Sequence, residues 1–171
     1  MKHKTPFRSG VRVLEYYKRE WLRKEIDELL RAGVIQLSRS PYAATPVIVS
    51  KKDDTWWLAI DYREANKNSD DFLYSLPKIV EIFDCFAGAQ WFTTLDLTQG
   101  YWQIVMDPNS IKYTSFITPF GQYEFKVMPF GLKQASGWFQ LLMNDVLKPV
   151  ITKTAMVYLN DIIIFTKESL Q

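Results

Sequence analysis

Apolar and polar positions alternate in short runs along most of this chain, and only a few stretches keep helical spacing. Leu14, Tyr17, Trp21, Ile26, Leu29 and Leu30 recur on one face over residues 11–33, which predicts an amphipathic helix stopped by Gly33. Val34-Ile35 begins an extended segment. Residues 41–50 then read as a strand entered through Pro41, and 56–63 as a second strand after the charged turn Lys51-Lys52-Asp53-Asp54. Residues 64–75 are polar and irregular. Pro77 suits the first turn of a short helix over 78–86, with Gly88 beyond its end and Cys85 within its packing face. Strands follow at Trp91–Leu97 and Tyr101–Met106, joined by the turn Thr98-Gln-Gly100. Tyr113–Thr118 and Tyr123–Val127 flank the hairpin signal Pro119-Phe-Gly-Gln122. A stiff loop, Met128-Pro-Phe-Gly131, leads into a helix over 133–147 that Pro149 closes.

The last element is Ala155–Phe165, two apolar runs around Asn160-Asp161. Asn and Asp tolerate turn dihedrals while the flanks suit a pleated sheet, so this reads as a hairpin presenting Asp161 at its tip. Short strands mixed irregularly with helices predict an α+β fold with a mainly antiparallel sheet. There is no internal repeat and no Gly-rich phosphate loop.

Composition narrows the chemistry. The 171 residues are 47% apolar, enough for one compact domain or two small lobes. No apolar run approaches the roughly 18 residues of a membrane span, and the opening Met-Lys-His-Lys-Thr-Pro is no secretory signal. With one cysteine in the chain, an intracellular, reducing setting is expected. A single cysteine, Cys85, rules out an internal disulfide, and a single histidine, His3, rules out His/Cys zinc sites and a Ser-His-Asp triad. Any metal must then be held by oxygen, which points to Mg²⁺ or Mn²⁺. Asp96 ends one strand-like run and Asp161 sits at the hairpin, so two acids remote in sequence are able to converge on one sheet as a metal site; the alternative is that both are ordinary turn aspartates. The net charge of +2 is uneven: residues 1–67 carry 14 Lys and Arg against 9 Asp and Glu, and residues 68–171 carry 7 against 10. A basic front half suits a phosphate-rich partner, and a solvated charged helix gives much the same count.

Six blocks occur in order: Ser40-Pro-Tyr-Ala43, Lys51-Lys52-Asp53, Ile60-Asp-Tyr-Arg63, Leu95-Asp-Leu-Thr-Gln-Gly-Tyr-Trp-Gln103, Met128-Pro-Phe-Gly-Leu132 with Phe139-Gln140, and Tyr158-Leu-Asn-Asp161. Together they resemble the reverse transcriptase of gypsy-type LTR retrotransposons, from about Leu14 to the end. The resemblance implies a right-hand polymerase fold: a tail over 1–10, fingers with the first part of the palm over 11–90, and palm with the metal hairpin over 91–171. It also implies that the thumb, RNase H and integrase parts of such a polyprotein are absent. It makes Asp96, Asp161 and position 160 the metal site for two ions. Tyr101 becomes the residue under the incoming sugar that excludes a 2′-OH. Lys51, Lys52 and Arg63 become fingers contacts, Lys52 toward a triphosphate and Arg63 toward the template strand. Phe130 and Gly131 fall in a block expected beside the substrate. The implied partners are an RNA or DNA template with its primer and deoxynucleoside triphosphates.

Five positions depart from that pattern. Asn160 replaces the first acid of the family's Tyr-X-Asp-Asp hairpin, and Trp57 stands where an arginine grips the triphosphate. Asp54 replaces a turn glycine, and Ser75 and Ser136 replace prolines. A neutral amide is a weaker ligand, and tryptophan cannot donate a bidentate charged hydrogen bond. This copy is therefore expected to be catalytically impaired. The alternatives are a non-catalytic relic that binds nucleic acid or a partner, and expressed debris without a role. By the genetic code each change can arise from one C-to-T or G-to-A step, as a relic decayed by cytosine deamination on either strand would show, with unrelated drift as the alternative; an unbiased spectrum across a genomic copy would argue against decay.

Overall fold

A computed structural model describes residues 6–72 and 74–166. His3 lies outside the described residues. The chain divides into two compact units, each built from two segments: unit 1 is Met1–Asp70 with Tyr101–Lys133, and unit 2 is Asp71–Gly100 with Gln134–Gln171.

Unit 1 begins with α1, Tyr16–Arg31, which buries Leu22, Ile26 and Leu29 on the expected face. The helix starts later than its apolar spacing suggests: Leu14 still packs on the core, while Val13 is fully exposed. Gly33, at φ +71°, supplies the left-handed residue that ends it. β1 (Ile35–Leu37), β2 (Thr45–Ser50) and β3 (Trp56–Asp61) follow, then α2 (Arg63–Lys67). That five-residue helix takes only the first residues, 64–67, of the stretch expected to be irregular over 64–75, and the described residues of that stretch beyond it form no helix or strand; it is too short for an apolar period to show. β5 (Phe116–Thr118) and β6 (Gly121–Phe125) form the hairpin read from Pro119-Phe-Gly-Gln122. Two antiparallel sheets result, ordered β1-β6-β5 and β2-β3. Their inward residues Ile35, Ile60, Phe116 and Phe125 close over α1, and the buried Tyr62 hydroxyl donates to the Thr114 carbonyl at 2.7 Å.

The strand expected at Tyr101–Met106 does not form. Gly100–Gln103 is a 3₁₀ turn, and only Val105 makes a bridge, to Val127. The 3₁₀ turn Ile111–Thr114 likewise takes the first residues of the strand expected from Tyr113.

Unit 2 holds α3 (Ile79–Cys85), β4 (Trp91–Asp96), α4 (Ala135–Val146), β7 (Ala155–Tyr158) and β8 (Asp161–Thr166). Pro77 sits one residue before the N-cap Lys78 rather than inside the first turn; Glu81 accepts the Lys78 N–H at 3.0 Å instead. The antiparallel sheet is ordered β4-β8-β7. Ile82, Met156 and Phe165 make its small core, with Cys85 partly buried against them as packing. No helix among the described residues is long and apolar enough to cross a membrane.

Candidate active site

β7 and β8 pair with Tyr158 opposite Asp161, so the loop between them is two residues, Leu159 and Asn160. The turn therefore lies one residue earlier than Asn160-Asp161. Leu159 takes φ +55°, a left-handed value that costs a non-glycine residue about 1 kcal/mol or more. Asp161 is instead the first residue of β8, where the register sets it opposite both Tyr158 and Asp96. Residues directly opposite in antiparallel strands share a face, with Cβ atoms about 4.5–5.5 Å apart. Two exposed carboxylates thus meet at one end of the sheet, an arrangement that repels itself unless a cation lies between them.

Asn160, in the turn beside Asp161, carries no charge. Its Oδ1 is buried and accepts no hydrogen bond, and its carbonyl receives the Leu97 N–H at 3.3 Å. A Cβ on Gly100 would lie 2.8 Å from the Phe139 ring and 3.3 Å from that Oδ1. Only glycine lets the Asp96–Gly100 bend approach so closely. No three His, Cys, Asp or Glu side chains group as a metal cluster among the described residues. Two carboxylates with one orphaned amide oxygen are nevertheless an all-oxygen donor set that fits a hard dication, one charge short.

Gln140, on α4, holds this hairpin in place. Fully buried, it donates to the Val157 carbonyl at 3.1 Å and to Asn144 Oδ1 at 3.0 Å, while its Oε1 accepts the strained Leu159 N–H at 2.9 Å. Sequence reasoning quoted Gln140 within a block but gave it no task. Its signal is a lone amide inside the apolar run Trp138–Met143.

The remaining candidates lie in unit 1. Phe130 gathers three aromatic rings: Tyr101 at 4.9 Å, Trp57 at 5.9 Å and Trp102 at 6.4 Å between centroids. Tyr101 is 8% exposed. Trp57, Trp102, Phe130 and Gly131 line a small apolar cavity of about 70 Å³. Gly131 needs its φ of +90°, and its carbonyl accepts from Asn66 Nδ2 at 2.8 Å while Asn66 Oδ1 accepts the Lys133 N–H. Asn66 thus clamps the 131–133 loop, a role the sequence did not suggest.

Lys51 and Lys52 are exposed on the β2–β3 turn. In that turn Asp54 takes φ +60°, where glycine is free of strain. Asp54→Gly should therefore stabilise unit 1 by about 1 kcal/mol in a denaturant titration; an unchanged midpoint would mean that the aspartate loses nothing there. Arg63 is bound within the chain: its Nε and a terminal nitrogen donate to the two Asp61 oxygens at 2.8 and 2.6 Å. That pairing lowers the Asp61 carboxyl from 3.8 to about 2. A lowered folded value stabilises above the unfolded one and is lost as the carboxylate protonates, here as pH falls from about 4 toward 2. Arg63 is 82% exposed, so the loss should stay within about 1 kcal/mol. Asp61→Asn should flatten the acid limb by that much.

A family model described as reverse transcriptase (RNA-dependent DNA polymerase) matches residues 49–171. The chain belongs to the reverse transcriptase family. It is 38% identical over 169 residues to the retrovirus-related Pol polyprotein from transposon 297 of Drosophila melanogaster, covering 96% of this chain and 16% of that one. The polyprotein from transposon gypsy of the same organism is 38% identical over 154 residues, covering 86% and 15%. The chain thus spans about a sixth of the length of these gypsy-type relatives. Among solved structures, the prototype foamy virus protease-reverse transcriptase matches with TM-score 0.84 and 26% identity over 96% of this chain and 22% of that one. A foamy viral protease-reverse transcriptase in complex with RNA/DNA hybrid matches with TM-score 0.79 and 23% identity, over 95% and 21%. This reverse transcriptase domain is thus a mixture of helices and antiparallel sheet of the retroviral kind, as the six sequence blocks implied.

Proposed function

We propose that this chain is the fingers and palm of an RNA-directed DNA polymerase from a retrotransposon Pol polyprotein, and that this copy is catalytically impaired. In this reading unit 1 takes the place of the fingers and unit 2 that of the palm. That division differs from the bounds expected from the sequence, since Tyr101–Lys133 falls in unit 1 and Asp71–Gly100 in unit 2. The observation that carries the reading is Asp96 facing Asp161 across β4 and β8 in a chain of this family. Asp96 and Asp161 would hold Mg²⁺ or Mn²⁺, with Asn160 as a neutral third donor. Two ions so held supply Lewis acidity that favours an ionised primer 3′-OH and a departing pyrophosphate. The chain's own residues position the reactants. Lys52 meets the triphosphate, Arg63 supports the template strand through the face left open by Asp61, and the Tyr101 ring excludes a ribose 2′-OH. Phe130 and Gly131 line the substrate side with Tyr101.

The expected partners are a primer on an RNA or DNA template and deoxynucleoside triphosphates; a foamy viral relative has been captured on an RNA/DNA hybrid. Impairment follows from Asn160 and Trp57. If the lost charge at 160 removes about 4 kcal/mol of transition-state stabilisation, the rate falls about a thousandfold.

A second reading, a nucleic-acid-binding relic, is favoured by the same two substitutions together with the basic front half. Primer extension and primer–template binding on the purified chain separate the two. The polymerase reading expects trace Mg²⁺-dependent extension that Asp96→Ala abolishes. Both expect binding of about micromolar strength or weaker that falls steeply with salt and ignores sequence. Salt-independent, sequence-selective binding would contradict both.

A further inference from the structure

The polar row on α4 does not end at Gln140. Asn144 lies one helical turn further along the same face, and its Nδ2 donates to the Tyr74 hydroxyl at 2.7 Å. The directions of these bonds are forced. The Leu159 N–H can only donate and the Val157 carbonyl can only accept, so Gln140 has one orientation, with Oε1 toward Leu159 and Nε2 toward Val157. The same Nε2 donates its second hydrogen to Asn144 Oδ1 at 3.0 Å. Asn144 is left with its amide nitrogen facing Tyr74, whose oxygen accepts. Turning the Asn144 amide over would set nitrogen against nitrogen at Gln140.

Tyr74 itself is placed by rings, since it lies in neither helix nor strand. Its ring is nearly parallel to that of Phe72, at 6.3 Å and 7°, and Phe72 lies flat on Trp138 of α4 at 4.2 Å and 4°. A Cβ on Gly137 would come within 2.8 Å of the Phe72 ring and 3.3 Å of Tyr74 Cβ. Glycine disfavours a helix interior, and at this position the close approach requires it.

We propose that Tyr74 and Asn144 are positioning residues for the turn between β7 and β8, acting through Gln140. That turn carries Asn160 and leads into Asp161, so the chain of bonds from Tyr74 through Asn144 and Gln140 to Leu159 ties the candidate metal ligands to the aromatic column at the N-terminal end of α4. This use of the turn rests on the proposed metal site; the chain of bonds does not. Leu159 sits at φ +55° and keeps that value only while its N–H is held. The Tyr74 oxygen keeps the Asn144 amide from turning over. Without it, an Asn144 nitrogen can face Gln140 and compete with the orientation that Leu159 requires. Buried polar groups linked in series stand or fall together in this way.

Hydrogen exchange on the intact chain, without metal, tests the bonds. Tyr74→Phe keeps the ring column and removes only the hydroxyl. It should speed exchange of the Leu159 amide about fivefold, the worth of one net hydrogen bond, while amides in the middle of β8 such as Ile163 keep their rates. Asn144→Asp separates positioning from packing. At neutral pH its carboxylate accepts from Gln140 whichever way it turns, so Leu159 should stay protected and Tyr74→Phe should no longer matter there. A Mn²⁺ titration followed by electron paramagnetic resonance then reads the site: Tyr74→Phe should weaken binding about threefold, and Asp96→Ala should abolish it. A Leu159 amide indifferent to Tyr74→Phe, or a loss of the same size in the Asn144→Asp background, would overturn the proposal. So would an unchanged Mn²⁺ affinity beside faster Leu159 exchange. A parent that binds no Mn²⁺ would overturn the metal site on which the use of the turn rests, and the exchange result would still decide the bonds.

Discussion

Gln140→Leu should loosen the hairpin that carries Asp161 and lower the stability of unit 2 by about 2–5 kcal/mol. The side chain is fully buried and nearly isosteric with leucine, so no large cavity opens. What is lost is polar satisfaction. The Val157 carbonyl and the Leu159 N–H both rely on this amide, and a buried group left unpaired costs about 1–3 kcal/mol. Leu159 is also the residue held at φ +55°, so removing its anchor releases the strain and lets the turn relax away from its present shape. Hydrogen exchange reads this directly: the Leu159 amide should lose protection while amides of α1 keep theirs. Gln140→Glu distinguishes the two halves of the clamp, since a carboxylate accepts from Leu159 but cannot donate to Val157. A Gln140→Leu protein within about 0.5 kcal/mol of the parent would show that neither bond matters.

The hairpin itself was legible because its two apolar runs differ from a helix in length and period, and because Asn and Asp interrupt them. The meeting of Asp96 with Asp161 was legible only as a possibility of convergence; the register that puts them opposite one another is set by contacts 65 residues apart in the chain. Tyr101–Met106 was misread for a physical reason. Tyr-Trp-Gln-Ile-Val-Met has strand-forming residues, yet Gly100 must fit under Phe139, and the chain tightens into a 3₁₀ turn there. Tertiary packing overrode local preference. Arg63 is a similar case: its charge was visible, but not that Asp61 two residues earlier would pair with its Nε and one terminal nitrogen. The turn glycine replaced by Asp54 is the opposite case, since the family pattern pointed to a glycine and the backbone takes the left-handed value that glycine suits.

Asn160→Asp should make the protein less stable without metal and more stable with it. Position 160 directs a buried, unpartnered oxygen against Gly100, and Asp96 and Asp161 already face each other nearby in the sheet. A third carboxylate adds repulsion and an unsatisfied charge, worth about 1–3 kcal/mol against the metal-free fold. The same carboxylate completes a trianionic oxygen site, so the melting temperature should climb with Mg²⁺ or Mn²⁺ far more steeply than in the parent. This readout is independent of catalysis. Activity should need a second repair. The family pattern assigns Trp57 to the phosphates of the nucleotide whose metal the acids hold, and Trp57 instead packs its ring on Phe130 and lines an apolar cavity. Trp57→Arg returns a bidentate donor, yet alone leaves the metal poorly held. The two repairs should therefore not add: each single reversion should stay near background in Mg²⁺, and the double reversion should extend a primer when a family thumb is supplied. Mn²⁺, which tolerates imperfect oxygen sites better, should reveal Asn160→Asp first. If the unaltered chain already extends a primer as fast as the double reversion, and Asp96→Ala abolishes it, then the amide is an adequate ligand and the impairment proposed for this copy is wrong.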